Sequence, residues 1–262
     1  MKFIHLTDIH LVRPGQQLMG GDPAQRLDAC LRDIETWHDD AKFCVISGDL
    51  AEFAQVEAYQ FLKDRLESFG LPVFIMLGNH DNRKIFREVF PDHSTDTNGF
   101  IQHRHELEGN VFLFLDTTKD GKNAHEGEYC VTRTEWLENE LFCAGNKPTF
   151  LFMHHPPFDL KIPFIDKIKL QDSDTLLDVM RTGKNIRHCF YGHVHRTTYV
   201  KWRGYEFTSL PSLNHQIPLN PKSVDGVFCN EPPAYAVVHV DGEQLTVHFN
   251  SFLHRDPLHQ SY

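Results

Sequence analysis

Val73-Phe74-Ile75-Met76-Leu77-Gly78-Asn79-His80-Asp81 is the stretch whose reading decides the fold. Its first five residues form a short, continuously apolar run, the signature of a strand buried on both faces of a layered sheet. The run ends on a glycine and then on three side chains able to hold a cation or move a proton. A glycine directly before such residues suits a backbone that turns sharply beneath a ligand, where side-chain bulk would obstruct it; plain turn formation would ask for the same residue.

The pattern recurs outward in both directions. Phe3 to Thr7 leads into Thr7-Asp8-Ile9-His10, Phe43 to Ser47 into Gly48-Asp49, Thr149 to Met153 into His154-His155, and His188 to Tyr191 into Gly192-His193-Val194-His195. Val111 to Leu115, followed by Asp116, is one more run of the same kind. Ligands of open α/β sheets gather at the carboxyl ends of the strands, so the five polar clusters are expected to converge on one spot.

Between the runs the apolar period changes from 2 to 3.6. Leu27, Cys30, Leu31, Ile34 and His38 predict a helix over 24–38, with Asp22 as its cap and Pro23 in the first helical position. Val56, Tyr59, Phe61, Leu62 and Leu66 predict a second helix ending near Gly70. Thr132-Arg133-Thr134-Glu135 reads as a capping box opening a third, with Val131 and Trp136 as its hydrophobic staple. Alternating strand and helix make the class α/β, with helices outside the sheet. From Tyr199 on, Tyr199 to Trp202, Glu206 to Leu210, Tyr235 to Val240 and Gln244 to Phe249, with turns at Arg203-Gly204 and Asp241-Gly242, predict an antiparallel finish to the sheet. The stretch 214–233, with Pro218, Pro221, Pro232 and Pro233, reads as a long loop that covers a site or meets a neighbour, and 250–262 as a short tail.

The chain has 262 residues, enough for one large domain over 1–262 without covalent staples. With 40% hydrophobic and 24% charged residues it is expected to fold, and no apolar run approaches the roughly 20 residues of a membrane helix. A net charge of -10 without a Lys/Arg cluster disfavours a nucleic-acid polymer as partner. No signal-peptide pattern opens the chain, so a cytoplasmic protein is expected, and the six widely spaced cysteines are expected as reduced, buried thiols. The unusual number is 18 histidines.

Asp8 and His10 are two residues apart, so in extended backbone both side chains leave one face and can grip one cation; His193 and His195 repeat the spacing. Either pair alone is a weak signal, since short polar pairs also cap helices or face water. Asp8, His10, Asp49, Asn79, His154, His193 and His195 together are too many donors for one open site and enough for two cations, with Asp49 bridging through its two oxygens. Carboxylate, imidazole and amide donors without thiolate point to Mn, Fe, Co or catalytic Zn. Two such cations roughly 3.5 to 4 Å apart can activate a shared water and stabilise attacking and leaving oxygens, which is phosphoester hydrolysis.

The ordered series D-x-H, G-D, G-N-H-D, H and G-H-x-H resembles the calcineurin-like metallophosphoesterases, and over about residues 1–216 it is most similar to the bacterial glycerophosphodiesterases and class III cyclic nucleotide phosphodiesterases. The resemblance implies a four-layered α/β/β/α sandwich that hydrolyses small phosphodiesters through a metal-bridging hydroxide, with homo-oligomeric assembly. It implies that Asp8, His10, Asp49 and His195 hold one metal and Asp49, Asn79, His154 and His193 the other, the pair being divalent Fe, Mn, Zn or Co. By the same resemblance His80 positions the phosphate or protonates the leaving oxygen, Asp49 is catalytic as the bridge, and His215 approaches the substrate together with His10, Asn79 and His195.

The other polar residues have plainer readings. His103, His105, His125, His239, His248, His254 and His259 are read as surface or edge-strand residues, Asp81 as a brace for its loop or a ligand histidine, and Asp116 as structural. His155 is either a support for a ligand or simply packed; Arg13 and Gly20-Gly21 either touch the leaving group or lie in a solvated loop. Two other functions compete with a diesterase. A phosphomonoesterase or pyrophosphatase normally brings extra cationic side chains, and no motif here contains Arg or Lys; a non-catalytic binding module normally lacks ligands, and every ligand position here is filled.

Overall fold

The computed structural model describes residues 1–171, 173–220 and 222–253. In chain order its elements are β1 (Lys2–Leu6), α1 (Pro23–Trp37), β2 (Cys44–Ser47), α2 (Val56–Ser68), β3 (Val73–Met76), α3 (Arg83–Val89), β4 (His103–Leu107), β5 (Asn110–Phe114), α4 (Val131–Ala144), β6 (Thr149–Met153), α5 (Pro163–Lys167), α6 (Ser173–Met180), β7 (Ile186–Tyr191), β8 (Thr198–Trp202), β9 (Tyr205–Ser209), β10 (Ala234–Asp241) and β11 (Gln244–Ser251). Two sheets form, one in the order β11-β10-β1-β2-β3 and the other β4-β5-β6-β7-β9-β8.

The continuous apolar runs are explained by what each face meets. Ile4, Leu6, Cys44, Ile46 and Ile75 turn outward onto Leu27, Cys30 and Ile34 of α1 and Ala58, Tyr59 and Leu62 of α2. Phe3, Val45 and Met76 turn inward onto Phe112, Phe114, Phe150, Phe152 and Phe190 of the second sheet. The second sheet's other face carries Leu113, Leu151 and Cys189 against Leu137 and Leu141 of α4 and Leu176 and Met180 of α6. The result is the four-layered α/β/β/α sandwich. Between the sheets the phenyl rings stack in register, Phe114 on Phe152 at 5.1 Å and Phe152 on Phe190 at 4.9 Å. Each such ring contributes about 1.5–3 kcal/mol by burial alone.

Helix α1 starts as expected, Asp22 accepting hydrogen bonds from the amides of Ala24 and Gln25 with Pro23 leading the helix. Helix α4 does not. It begins at Val131 with Cys130 in the cap position and no side-chain cap bond; Thr134 donates to the Val131 carbonyl, and Val131 is 68% exposed, so neither the capping box nor the staple forms. The buried Arg133 explains the earlier start. Its guanidinium donates to the carbonyls of Asp116 and Thr118, which pins the first turn to the loop after β5.

The antiparallel finish is divided between the sheets. Hairpin β8-β9 joins the second, where β9 runs parallel to β7, and hairpin β10-β11 joins the first, where β10 pairs antiparallel with β1. Strand β11 runs to Ser251 and Phe252 is buried. Residues 254–262, with His254 and His259, lie outside the described residues. The edge strand β4 and helices α3, α5 and α6 carry no long periodic pattern and were not legible. Of the six cysteines, Cys30, Cys44 and Cys189 are buried free thiols, but Cys130 and Cys229 are partly exposed and Cys143 is exposed. Among the described residues no helix is long and apolar enough to cross a membrane.

Candidate metal centre

All five motifs meet at one end of the two sheets, on loops following β1, β2, β3, β6 and β7. The loops after β1 and β2 run side by side, the amides of Asp8 and His10 donating to the carbonyls of Gly48 and Asp49 at 3.0 and 2.9 Å. Asp8, His10, Asp49, His193 and His195 all have left-handed backbone, with φ of 52°, 51°, 50°, 70° and 49°. The pairs Asp8/His10 and His193/His195 are therefore aimed by alternating left-handed turns and not by extended strand, which corrects the geometry expected from their spacing. Side-chain-bearing residues in this region are strained by about 1–3 kcal/mol each, and five of them at one spot is the mark of a functional constraint.

Gly48, Gly78 and Gly192 have the purpose their position suggests. A Cβ on Gly48, at φ +101°, would lie 2.5 Å from Nδ1 of His154; one on Gly78 would collide with the Asp49 carboxylate and lie 2.6 Å from the His154 ring; one on Gly192 would collide with Thr7 Oγ1.

Asp8, His10, Asp49 and His195 form one buried group with a donor atom from each within 4.8 Å of the others. His10 Nδ1 donates to Glu52 at 2.7 Å and His195 Nδ1 donates to the His215 carbonyl at 2.7 Å. Each ring thus carries its proton on the far nitrogen, and the two Nε2 lone pairs face each other at 3.0 Å. Such a pair repels unless a cation lies between, and about 3 Å is the spacing of neighbouring donors around a metal with bonds of about 2.1 Å. Asp8 Oδ1 stands 3.3 Å from Nε2 of His195, while its other oxygen accepts from Thr7 Oγ1 and the His193 amide.

The second group shares Asp49. His154 Nδ1 donates to the Ser47 carbonyl at 2.9 Å, leaving Nε2 facing Asn79 Oδ1 at 3.2 Å and Asp49 Oδ2 at 3.4 Å. Nε2 of His193 is buried without a partner. Burial opposes a charge on His154, yet the nearby Asp49 and Asp8 carboxylates lift its pKa to about 9. Without a cation, a proton would gather these acceptors; a divalent ion would do so with more charge and release that proton. The donor set fits two divalent cations. Asp49 Oδ1 accepts from the His80 amide at 2.8 Å, and Oδ2 lies 3.7 Å from His10 Nε2 and 3.4 Å from His154 Nε2, within reach of both groups.

A cavity of about 310 Å³ opens over the two groups, lined on this side by His10, Asp49, Asn79, His80, His193, His195 and His215. His80 Nδ1 donates to the Glu52 carbonyl at 3.0 Å; burial works against its charge, but Asp49 and Glu52 raise its pKa above the usual histidine value. Asp81 braces the loop and not a ligand histidine, accepting from the amides of Leu50, Ala51 and Gly78 and from the Tyr59 hydroxyl. Burial, followed by the Asp49 charge, pushes it up to about 7.

Two participants escaped the sequence reading. His125, taken as a surface residue, lines the cavity and accepts from the Asn79 amide at 3.0 Å, which turns Asn79 Oδ1 toward His154. No local signal marks it. Glu52 orients both His10 and His80, and its place three residues after Asp49 was the available clue. His103 and His105 lie on edge strand β4, His248 on edge strand β11 and His239 on β10 with its side chain exposed, as expected. Asp116 is structural, but with two arginine partners. It takes a bidentate pair from Arg83 at 2.7 and 2.9 Å, with Arg133 behind it, and so ties α3 to the loop carrying His125. Arg13 pairs with Glu57 at 3.2 Å and does not line the cavity; Met19, beside Gly20-Gly21, does. His155 is buried with Nδ1 on Thr117 at 2.8 Å and Nε2 without a partner.

Residues 1–197 match the family of calcineurin-like phosphoesterases. The chain belongs to this family. It is 36% identical to a probable cyclic nucleotide phosphodiesterase of Rhodopseudomonas palustris over 98% of this chain and 95% of that one. It is 26% identical to a glycerophosphodiester phosphodiesterase of Enterobacter lignolyticus, over 97% and 92% of the two chains. A dimetal phosphatase from Danio rerio shares the fold at a TM-score of 0.72 and 15% identity, with 96% of each chain covered. In this calcineurin-like phosphoesterase the five motifs lie on the loops that follow β1, β2, β3, β6 and β7.

Proposed function

We propose that the protein is a two-metal phosphodiesterase acting on small diesters, glycerophosphodiesters or 3′,5′-cyclic nucleotides. One observation carries this reading. Asp49 Oδ2 lies 3.7 Å from His10 Nε2 in one set of lone-pair donors and 3.4 Å from His154 Nε2 in another, beneath a cavity whose described lining contains no Lys or Arg. A phosphomonoester dianion would lack the cationic clamp it usually needs, whereas a diester monoanion is matched by the cations alone. Asp8, His10, Asp49 and His195 would hold one ion and Asp49, Asn79, His154 and His193 the other, with Mn, Fe, Co or Zn fitting a set without thiolate. When bound, such a pair lowers the pKa of a shared water and stabilises attacking and leaving oxygens.

The test uses metal-depleted protein reloaded with Mn2+, Fe2+, Co2+ or Zn2+. Hydrolysis is expected to vanish on depletion and return on loading, with kcat/KM for bis(p-nitrophenyl) phosphate above that for p-nitrophenyl phosphate. The reverse order would favour a monoesterase, and full turnover by metal-free protein would end the reading.

His80 is assigned the role of proton donor to the leaving oxygen. The hydrogen bond from Nδ1 to Glu52 leaves Nε2 as the ring's other edge, and the raised pKa keeps a proton available. His80→Ala should lower kcat about 10²- to 10⁴-fold for diesters of glycerol and far less for p-nitrophenyl diesters, whose leaving group departs unaided. Equal losses on both would make His80 a phosphate-positioning residue. Loss of metal or of Tm without leaving-group dependence would make it a structural one.

A further inference from the structure

The cavity lining is of two kinds. Besides the polar residues it contains Met19, Phe164, Ile165, Ile168, Ile217 and Phe228, none of which offers a strong side-chain hydrogen-bonding group. This apolar part of the lining draws on three distant segments, two of which, 164–168 and 217–228, are held together. Phe164 of α5 meets Phe228 edge to face at 6.4 Å, and Phe228 meets His215 edge to face at 4.9 Å. Lys167 of α5 donates to the Val224 carbonyl, and Gly226 lies so close to Phe164 that a Cβ there would sit 2.9 Å from the ring. Met19 reaches the cavity from a left-handed position, φ 49°. Phe228 both lines the cavity and is 40% exposed, so its ring is available to a ligand there.

We infer that Phe228 and Phe164, with Met19, form the subsite for the organic substituent of the diester and select a planar aromatic one, a nucleobase, over glycerol. The inference rests on the diesterase reading above. The hydroxyls of a glycerol substituent would lose water against these side chains and find no partner among them, which costs free energy. A base would cover the same rings with its face, by stacking and by contact with the methionine sulfur, while its polar edge lies in the ring plane and is not pressed on the apolar side chains. The cavity volume of about 310 Å³ is at the small end for ligand sites and suits a mononucleotide.

The test is equilibrium binding of adenosine 5′-monophosphate and glycerol 3-phosphate to metal-loaded wild type, Phe228→Ala and Phe164→Ala, followed by kcat/KM for 3′,5′-cyclic AMP and glycerophosphoethanolamine. Each variant should weaken the nucleotide and its cyclic diester about 5- to 150-fold, the span that stacking on an aromatic side chain covers, while the glycerol compounds change less than about 2-fold. Phe228→Leu, which keeps an apolar chain but no ring, should retain the fold and still lose nucleotide preference. Equal losses for both ligand types, or none, would overturn the subsite. Wild type that binds the nucleotide through these rings yet hydrolyses neither diester would refute the diesterase reading and leave the base subsite standing.

Discussion

Asp49→Ala is expected to lower kcat/KM for any diester by at least about 10³-fold, the order lost with a single transition-state contact, and to strip both metals from the protein. Oδ2 of Asp49 faces His10 of one group and His154 of the other, so removing it opens both shells together. The other oxygen holds the amide of His80, so the loop after β3 loses its anchor as well. Asp49→Asn separates these effects. The amide oxygen can still accept from His80, but the charge that balances the cations is gone, so metal content should fall while the melting temperature of the metal-free protein stays near that of wild type. Metal content by mass spectrometry, with Tm, decides the matter. An Asp49→Ala protein retaining both metals and near-normal turnover would remove Asp49 from the bridging position.

Gly78→Ala should be nearly as damaging although it adds only a methyl group. That carbon would overlap the Asp49 carboxylate and its backbone nitrogen and press on the His154 ring at 2.6 Å. None of these neighbours can yield, since Asp49 is held by the His80 amide and His154 by the Ser47 carbonyl. Overpacking of this kind costs about 1–3 kcal/mol, or roughly 2–4 °C in Tm for each kcal/mol in a chain of this size. A displacement of about 1 Å in a catalytic group costs about 10²-fold in rate. Gly70→Ala is the matched control. Nothing lies within 4 Å of a Cβ at Gly70, and its backbone is not left-handed, so Tm and turnover should not move. If Gly78→Ala behaved like Gly70→Ala, the crowding around Asp49 would not be what makes glycine necessary there.

Much of the architecture was legible because it follows from short-range chemistry. The apolar runs at Phe3, Phe43, Val73, Val111, Thr149 and His188 are strands, since only a layer covered on both faces accepts so little polarity. The D-x-H, G-D, G-N-H-D, H-H and G-H-x-H groups sit at the ends of those strands, and the connectivity alone directs them to one place. Asp22-Pro23 marked the start of α1 for an equally local reason.

What lay outside the sequence depends on groups far apart in the chain. Helix α4 starts at Val131 because Arg133 is drawn to carbonyls of the loop after β5, which overrides a local capping signal. The two late hairpins look alike in sequence and part company because β10 has β1 to pair with and β9 has β7. The D-x-H spacing suggested a pair of donors on extended backbone, whereas their convergence rests on left-handed backbone at Asp8 and His10, held by Gly48 and Asp49 on the neighbouring loop. His125 joins the site through Asn79 and the ring of His80, and Phe228 through His215 and Phe164; an exposed histidine or phenylalanine in a loop carries no mark of such partners. Residue type and spacing therefore determined which strands carry donors. Packing between distant segments decided how each side chain is aimed and what lines the cavity, because those depend on long-range contacts whose partners no local pattern names.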